Sequence, residues 1–171
     1  MPWIWLLILL GLVFPACAAD TTSVTEDFLH DTFSSPPGAH DIPLTGDLRP
    51  LVRDILHHDY PLAQVRYWRA GNRSAWVLDE IGKERPITVG VVIDHDRIEQ
   101  VRVLVYRESR GWEVKNPRFT AQFDGAGLDG EMRLDRAIDG ISGATLSVRA
   151  LQRLARLALL LHQRAMTGDM P

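Results

Sequence analysis

The sequence predicts an α+β domain, an antiparallel β-sheet meander covered by a C-terminal amphipathic helix and preceded by short N-terminal helices. Three observations predict it. Residues 64–106 alternate at period two and are interrupted at Gly71-Asn72 and again at Asp94-His95-Asp96, the pattern of successive hairpins. Beyond Thr145 the apolar residues Leu151, Leu154, Ala155, Ala158 and Leu161 recur at helical spacing, with Arg149, Gln152, Arg153, Arg156 and Gln163 mostly opposite. Residues 20–61 are polar, cut by Ser35-Pro36-Pro37-Gly38, Pro43 and Pro50, and hold two short amphipathic stretches.

The first of those stretches, "SVTEDFLHDTF", predicts a short helix with Ser23 as N-cap, Glu26 completing a capping box, and Phe28, Leu29 and Phe33 on one side. The second, "DLRPLVRDILHH", spaces Leu48, Leu51, Val52, Ile55 and Leu56 as a helix. Both read as an arm packed on the main body. Four strands follow, in "QVRYWRA", "RSAWVLDE", "PITVGVVID" and "RIEQVRVLVYRE". An antiparallel sheet must cover its apolar face, and the C-terminal helix is the available cover. Between sheet and helix, "NPRFTAQFDG" predicts one helical turn capped by Asn116, with Pro117 first and Phe119 facing Phe123. A loop, "AGLDGEMRLDRAIDG", completes the chain up to the last helix.

The 171 residues are 46% hydrophobic and 24% charged, a globular composition, and the formal charge of −3 gives no basic excess to suggest nucleic acid. "MPWIWLLILLGLVFPACAAD" is uncharged through residue 19 and closes on Ala16 and Ala18, which predicts a secretory signal peptide over 1–19. An uncleaved anchor and a lipid anchor at Cys17 are the alternatives. The division expected is therefore 1–19 leader, 20–61 arm and 62–165 main domain. Cys17 is the one cysteine, so cleavage after Ala19 leaves a chain with no disulfide and no thiolate chemistry, which fits a bacterial periplasm.

The stretch Asp139-Gly140-Ile141-Ser142-Gly143-Ala144-Thr145 sets small and polar residues directly before the long helix. A helix start exposes unpaired N–H groups and the positive end of the macrodipole, so a phosphate is well held there. Gly143 and Ala144 let a large ligand approach the backbone beside Thr145. Ser, Thr, Gly and Asp also gather before helices simply to cap them, so on chemistry alone both roles stand. His57-His58, His95 and His162 have no ligand spacing, and no Walker A or G-x-G-x-x-G sequence is present.

Residues 139–145 resemble the flavinylation motif of the FMN-binding domain family, found in peripheral subunits of Na⁺-translocating NADH:quinone reductase and Rnf complexes. The likeness extends upstream to "ITVGVVIDHDRIEQVRVLVYRESRGWEV" and "FTAQFDG", spanning about residues 62–162 in the family's order. Glu108-Ser109-Arg110-Gly111 stands where the family has Glu-Thr-Pro-Gly. The resemblance implies FMN joined by a phosphoester to Thr145, made from FAD by a dedicated flavin transferase. It further implies contacts from Ser142, Gly143, Ala144, Asp139, Glu108, Gly111 and Trp112, with Ser142 and Ser147 as competing hydroxyls. Trp112 is the expected wall for the flavin ring, while Trp68 and Trp76, on strands, read as core. The function expected is periplasmic electron transfer with a membrane or periplasmic redox partner, more an electron carrier than a stand-alone enzyme. A reductase of a small substrate, drawing on Tyr106, Glu108 and Arg110, and a non-redox binding or assembly module are the alternatives.

Overall fold

The computed structural model describes residues 16–168, with side chains described from residue 21. The expected leader lies mostly outside the described residues, and its last four residues open the first helix, α1 (Ala16–Thr32). A five-stranded antiparallel sheet follows in the order β1-β2-β3-β4-β5. The strands are β1 (Ala39–Pro43), β2 (Gln64–Ala70), β3 (Arg73–Ile81), β4 (Pro86–Asp94) and β5 (Arg97–Tyr106). α2 (Leu48–Leu56) links β1 to β2, α3 (Pro117–Thr120) follows β5, and α4 (Thr145–Thr167) ends the described chain. This is the α+β meander expected.

The two short hairpins form where the turn residues demanded. Gly71 has φ +61°, and His95 and Asp96 both take positive φ, at 49° and 61°, so the β4–β5 turn matches strand twist in the manner of an Asn-Gly turn. Asn116 caps α3 through its side chain, Pro117 starts it, and Phe119 meets Phe123 edge to face at 6.0 Å.

Two expectations are corrected. The sheet has a fifth strand, β1, paired with β2 from Ala39↔Trp68 to Pro43↔Gln64. It lies at an edge, is almost wholly exposed and ends in proline, so it carries no apolar alternation to announce it. α1 begins before Ser23, which lies inside the helix, because the alanine-rich residues upstream continue it.

Both faces of the sheet are covered. α4 and α2 pack on one, where Trp76, Leu78, Val89, Val91, Leu151, Leu154 and Leu157 are fully buried. α1 packs on the other, where Phe28, Leu29 and Phe33 meet Ala75 and Val92. The guanidinium of Arg102 sits over the Phe28 ring at 5.6 Å and that of Arg73 over Phe33 at 5.8 Å.

Two polar groups are buried between sheet and α4. Glu80, 4% exposed, accepts from Arg153 at 3.0 Å and from His58 at 3.0 Å. His162, 1% exposed, meets the Ser74 hydroxyl at 2.7 Å, and that hydroxyl accepts from Trp76 Nε1 at 2.7 Å. The Asp59 carbonyl raises the His58 pKa; burial opposes this, and Glu80 adds to the net rise. Burial lowers that of His162, and Asp96 only partly offsets it. The signs are opposite. His58 stabilises fully below the ordinary value of 6.5 and loses that contribution as pH rises through its raised pKa. His162 stabilises above 6.5 and loses its contribution as pH falls through its lowered pKa. Denaturation midpoints measured across about pH 5.5 to 8 should therefore peak near the ordinary histidine value, and His58→Gln should flatten the alkaline side.

Candidate functional site

The start of α4 faces the β3–β4 and β5–α3 loops across a cleft of about 590 Å³. Its lining includes Lys83, Glu108, Arg110, Gly143, Thr145 and Leu146. A volume of this order accommodates a cofactor-sized molecule.

Thr145 is the first residue of α4 and is exposed. No side chain caps the helix, whose N-cap position is Ala144, so the capping role considered for the preceding hydroxyls is not what the structure shows. The first N–H groups of a helix lack intrahelical partners, and here they open toward the cleft with the positive end of the dipole. Gly143, at φ +82°, makes the turn that brings the chain into α4. The Thr145 hydroxyl makes no hydrogen bond among the described residues. It is the one motif hydroxyl that is both exposed and in this cleft. Ser147 is 4% exposed and bonded to Tyr106 Oη at 3.0 Å, whereas Ser142 is exposed but lines a smaller neighbouring cleft of about 250 Å³.

Glu108 shapes the opposite wall. Its Oε1 accepts main-chain N–H bonds from Lys83, from Glu84 at 2.7 Å and from Arg85 at 3.0 Å. Burial pushes its pKa up, but the three N–H donors and the Lys83 ammonium outweigh this and hold the carboxyl below the usual glutamate value of 4.5. Its contribution is therefore complete above pH 4.5 and lost as pH falls through the depressed value. Glu108→Ala is expected to free the 83–85 turn, with amide hydrogen exchange there faster by roughly tenfold or more, while Glu108→Gln, which keeps an acceptor oxygen, changes it less.

The loop after β5 is fixed by Tyr106, whose hydroxyl donates to the Arg110 carbonyl and meets Ser147. Gly111 has φ +84°, and a Cβ there would come within 2.8 Å of the Tyr106 oxygen, so the loop can wrap that hydroxyl only with glycine. Trp112 follows in a 3-10 turn and is 65% exposed, beside the smaller cleft that it shares with Arg110, Gly111, Ser142 and Gly143. Leu146 is 44% exposed. Asp139 is exposed, and its main-chain N–H donates to Gln122 Oε1 at 2.7 Å. Trp76 is buried and stacks on Tyr67 at 4.6 Å, and Trp68 packs on the α1 side, so neither reaches the cleft.

Four residues at or near the site are not singled out by the sequence, Lys83 with its neighbour Glu84, Leu146 and Gln122. Lys83 reaches the cleft only because β3 and β4 close a hairpin, Leu146 reads as an ordinary helix residue, and Gln122 ties "FTAQFDG" to the 139–145 segment. The Gln122 signal was present, since the glutamine sits at a fixed place in the resembling segment. Among the described residues no cluster of three or more His, Cys, Asp and Glu could hold a metal, and no helix is long and apolar enough to cross a membrane.

A family model described as the FMN-binding domain matches residues 82–160. The match begins at the β3–β4 turn and ends within α4, so both walls of the cleft fall inside it. The fold is similar to the crystal structure of NqrC from Shewanella oneidensis, with a TM-score of 0.59 and 16% identity over 80% of this chain and 88% of that one. No curated protein sequence matches the chain.

Proposed function

We propose that this chain, whose residues 82–160 match the FMN-binding domain model, is an exported electron-carrier flavoprotein with FMN joined to Thr145 by a phosphoester. The observation that carries the attachment is Thr145 itself, an exposed, unbonded hydroxyl on the first residue of an uncapped helix. The residues present fit a phosphate-linked flavin. Open helix N–H groups favour the phosphate, and Lys83 and Arg110 add positive charge in the same cleft. Exposed Leu146 and Trp112 offer apolar surface to a flat ring. FMN supplies one- and two-electron redox chemistry when bound.

The chain's own part is to present and hold. In maturation the Thr145 oxygen would take the FMN phosphoryl group from FAD, with AMP departing and the hydroxyl proton passing to a base of a flavin transferase. No base near Thr145 is then required of this chain. Glu108 keeps the wall of residues 83–85 in shape, and Tyr106 keeps the 110–112 loop against α4. Tyr106, a proton donor in the reductase alternative, already has its hydroxyl committed to the Arg110 carbonyl and Ser147, which favours a carrier. Export to the periplasm rests on the leader-like residues 1–19, and a membrane or periplasmic redox protein is the proposed partner.

The test is expression of the exported chain with and without a flavin transferase, followed by denaturing gel fluorescence and peptide mass. The expected result is a fluorescent band only with the transferase, and an FMN adduct on the peptide holding Thr145. A colourless chain with an active transferase overturns the covalent reading.

A further inference from the structure

We propose that the groove between α4 and the 133–138 loop is a second anion site, taking a phosphorylated small molecule of about two to three negative charges, such as pyrophosphate or a nucleoside diphosphate. The groove holds about 630 Å³, and its lining includes Arg136, Arg149, Arg153, Arg156, Leu134 and Ile138. Among the described residues no carboxylate lines it, although the chain as a whole carries a formal charge of −3. Four guanidiniums facing one concavity repel one another and concentrate positive potential, which an anion relieves.

The charge count selects the ligand. Arg153 is already paired with buried Glu80 at 3.0 Å. Arg156 is held by the Met132 carbonyl at 2.8 Å and Arg136 by the Asp124 carbonyl, bonds that fix the side chains without neutralising them. Asp124 and Asp135 sense the Arg136 charge, but Asp135 is paired with Arg97 and neither lines the groove. Arg149 makes no hydrogen bond among the described residues. Arg149 and Arg156 therefore leave two positive charges with no carboxylate, Arg136 adds a third that Asp124 offsets only in part from outside the groove, and planar guanidinium forks match phosphate oxygens. Leu134 and Ile138 give an apolar lining for a non-phosphate part. A concavity of this volume is of small-molecule size rather than the flat face an extended bilayer would need.

The site is separate from the cleft at Thr145 and does not depend on flavin being bound. Arg149 lies one turn beyond Thr145 and Arg156 three turns beyond, at roughly 6 Å and 16 Å along the axis on the same helix face.

The test is calorimetric titration of pyrophosphate and of ADP into the full chain, prepared with and without flavin, beside vesicles of phosphatidylglycerol. Saturable binding at one site is expected in both preparations, at least tenfold weaker in Arg149→Gln/Arg156→Gln and unchanged in Thr145→Ala. Arg149→Gln alone, which costs the fold no hydrogen bond, should also weaken it and decides the matter if the double variant melts early. No saturable binding at millimolar pyrophosphate, equal affinity in the arginine variants, loss in Thr145→Ala, or binding to vesicles alone would each overturn the proposal. A chain that fails to take up flavin yet binds pyrophosphate separates this inference from the flavin reading.

Discussion

Thr145→Ala is expected to abolish covalent flavin, leaving a stably folded chain with no in-gel fluorescence and no FMN mass on any peptide. The expectation of complete loss comes from the fate of the neighbouring hydroxyls. Ser147 borders the same cleft but is buried and bonded to Tyr106, and Ser142 opens into the smaller cleft beside Trp112. To replace Thr145, Ser147 would have to give up its Tyr106 bond and Ser142 would have to leave its own cleft. Thr145→Ser keeps a hydroxyl in place and is expected to load, while Ser142→Ala is expected to load like the unsubstituted chain. Stability should change little, within about 0.5 kcal/mol, because an exposed side chain with no hydrogen bond is removed. Equal melting temperatures with opposite fluorescence would separate an attachment site from a folding defect. An adduct persisting in Thr145→Ala would refute the assignment.

The opposite outcome is expected at Trp76. Its ring is fully buried, stacks on Tyr67 at an interplanar angle of 12°, and donates to Ser74, the same hydroxyl that meets His162 on α4. Trp76→Ala removes the largest fully buried side chain and leaves Ser74 short of a donor. Large-to-small changes of this kind cost about 3–5 kcal/mol, a large part of a domain's stability. Thermal unfolding should shift downward on the order of 10 °C for a chain of this size. Flavin carried per folded molecule should stay as before, since Trp76 does not line the cleft. Trp76→Phe, which keeps most of the stacking area and loses the Ser74 bond, is expected to cost less.

The contrast between Thr145 and Trp76 also shows what the sequence can and cannot reveal. Trp76 was legible as core because it lies on an alternating strand, and α4 was legible because its apolar residues keep helical spacing. The two β-turns were legible because Gly71 and the His95-Asp96 pair sit where only a positive φ closes a tight hairpin. β1 was not legible, since an exposed edge strand needs no apolar pattern. The start of α1 was misplaced because Ser23 offered a plausible cap inside a run that was already helical. In the candidate site, Thr145 and Gly111 were legible through the resemblance of residues 139–145 and 108–111 to the FMN-binding domain family, since local chemistry alone left a helix cap equally open. The wall across from them did not, because Lys83 and Glu84 reach the cleft through the closure of β3 against β4 and through a carboxylate more than twenty residues later in the chain.

That wall has a consequence for how such a site can diverge. Glu108 grips residues 83–85 by their main-chain N–H groups, so the turn's shape is indifferent to which side chains it displays. Lys83 and Glu84 could exchange charge, and with it the field across the cleft, while the contour stayed as it is. The geometry of the pocket and its electrostatic tuning are thereby set by different parts of the sequence, free to evolve one without the other.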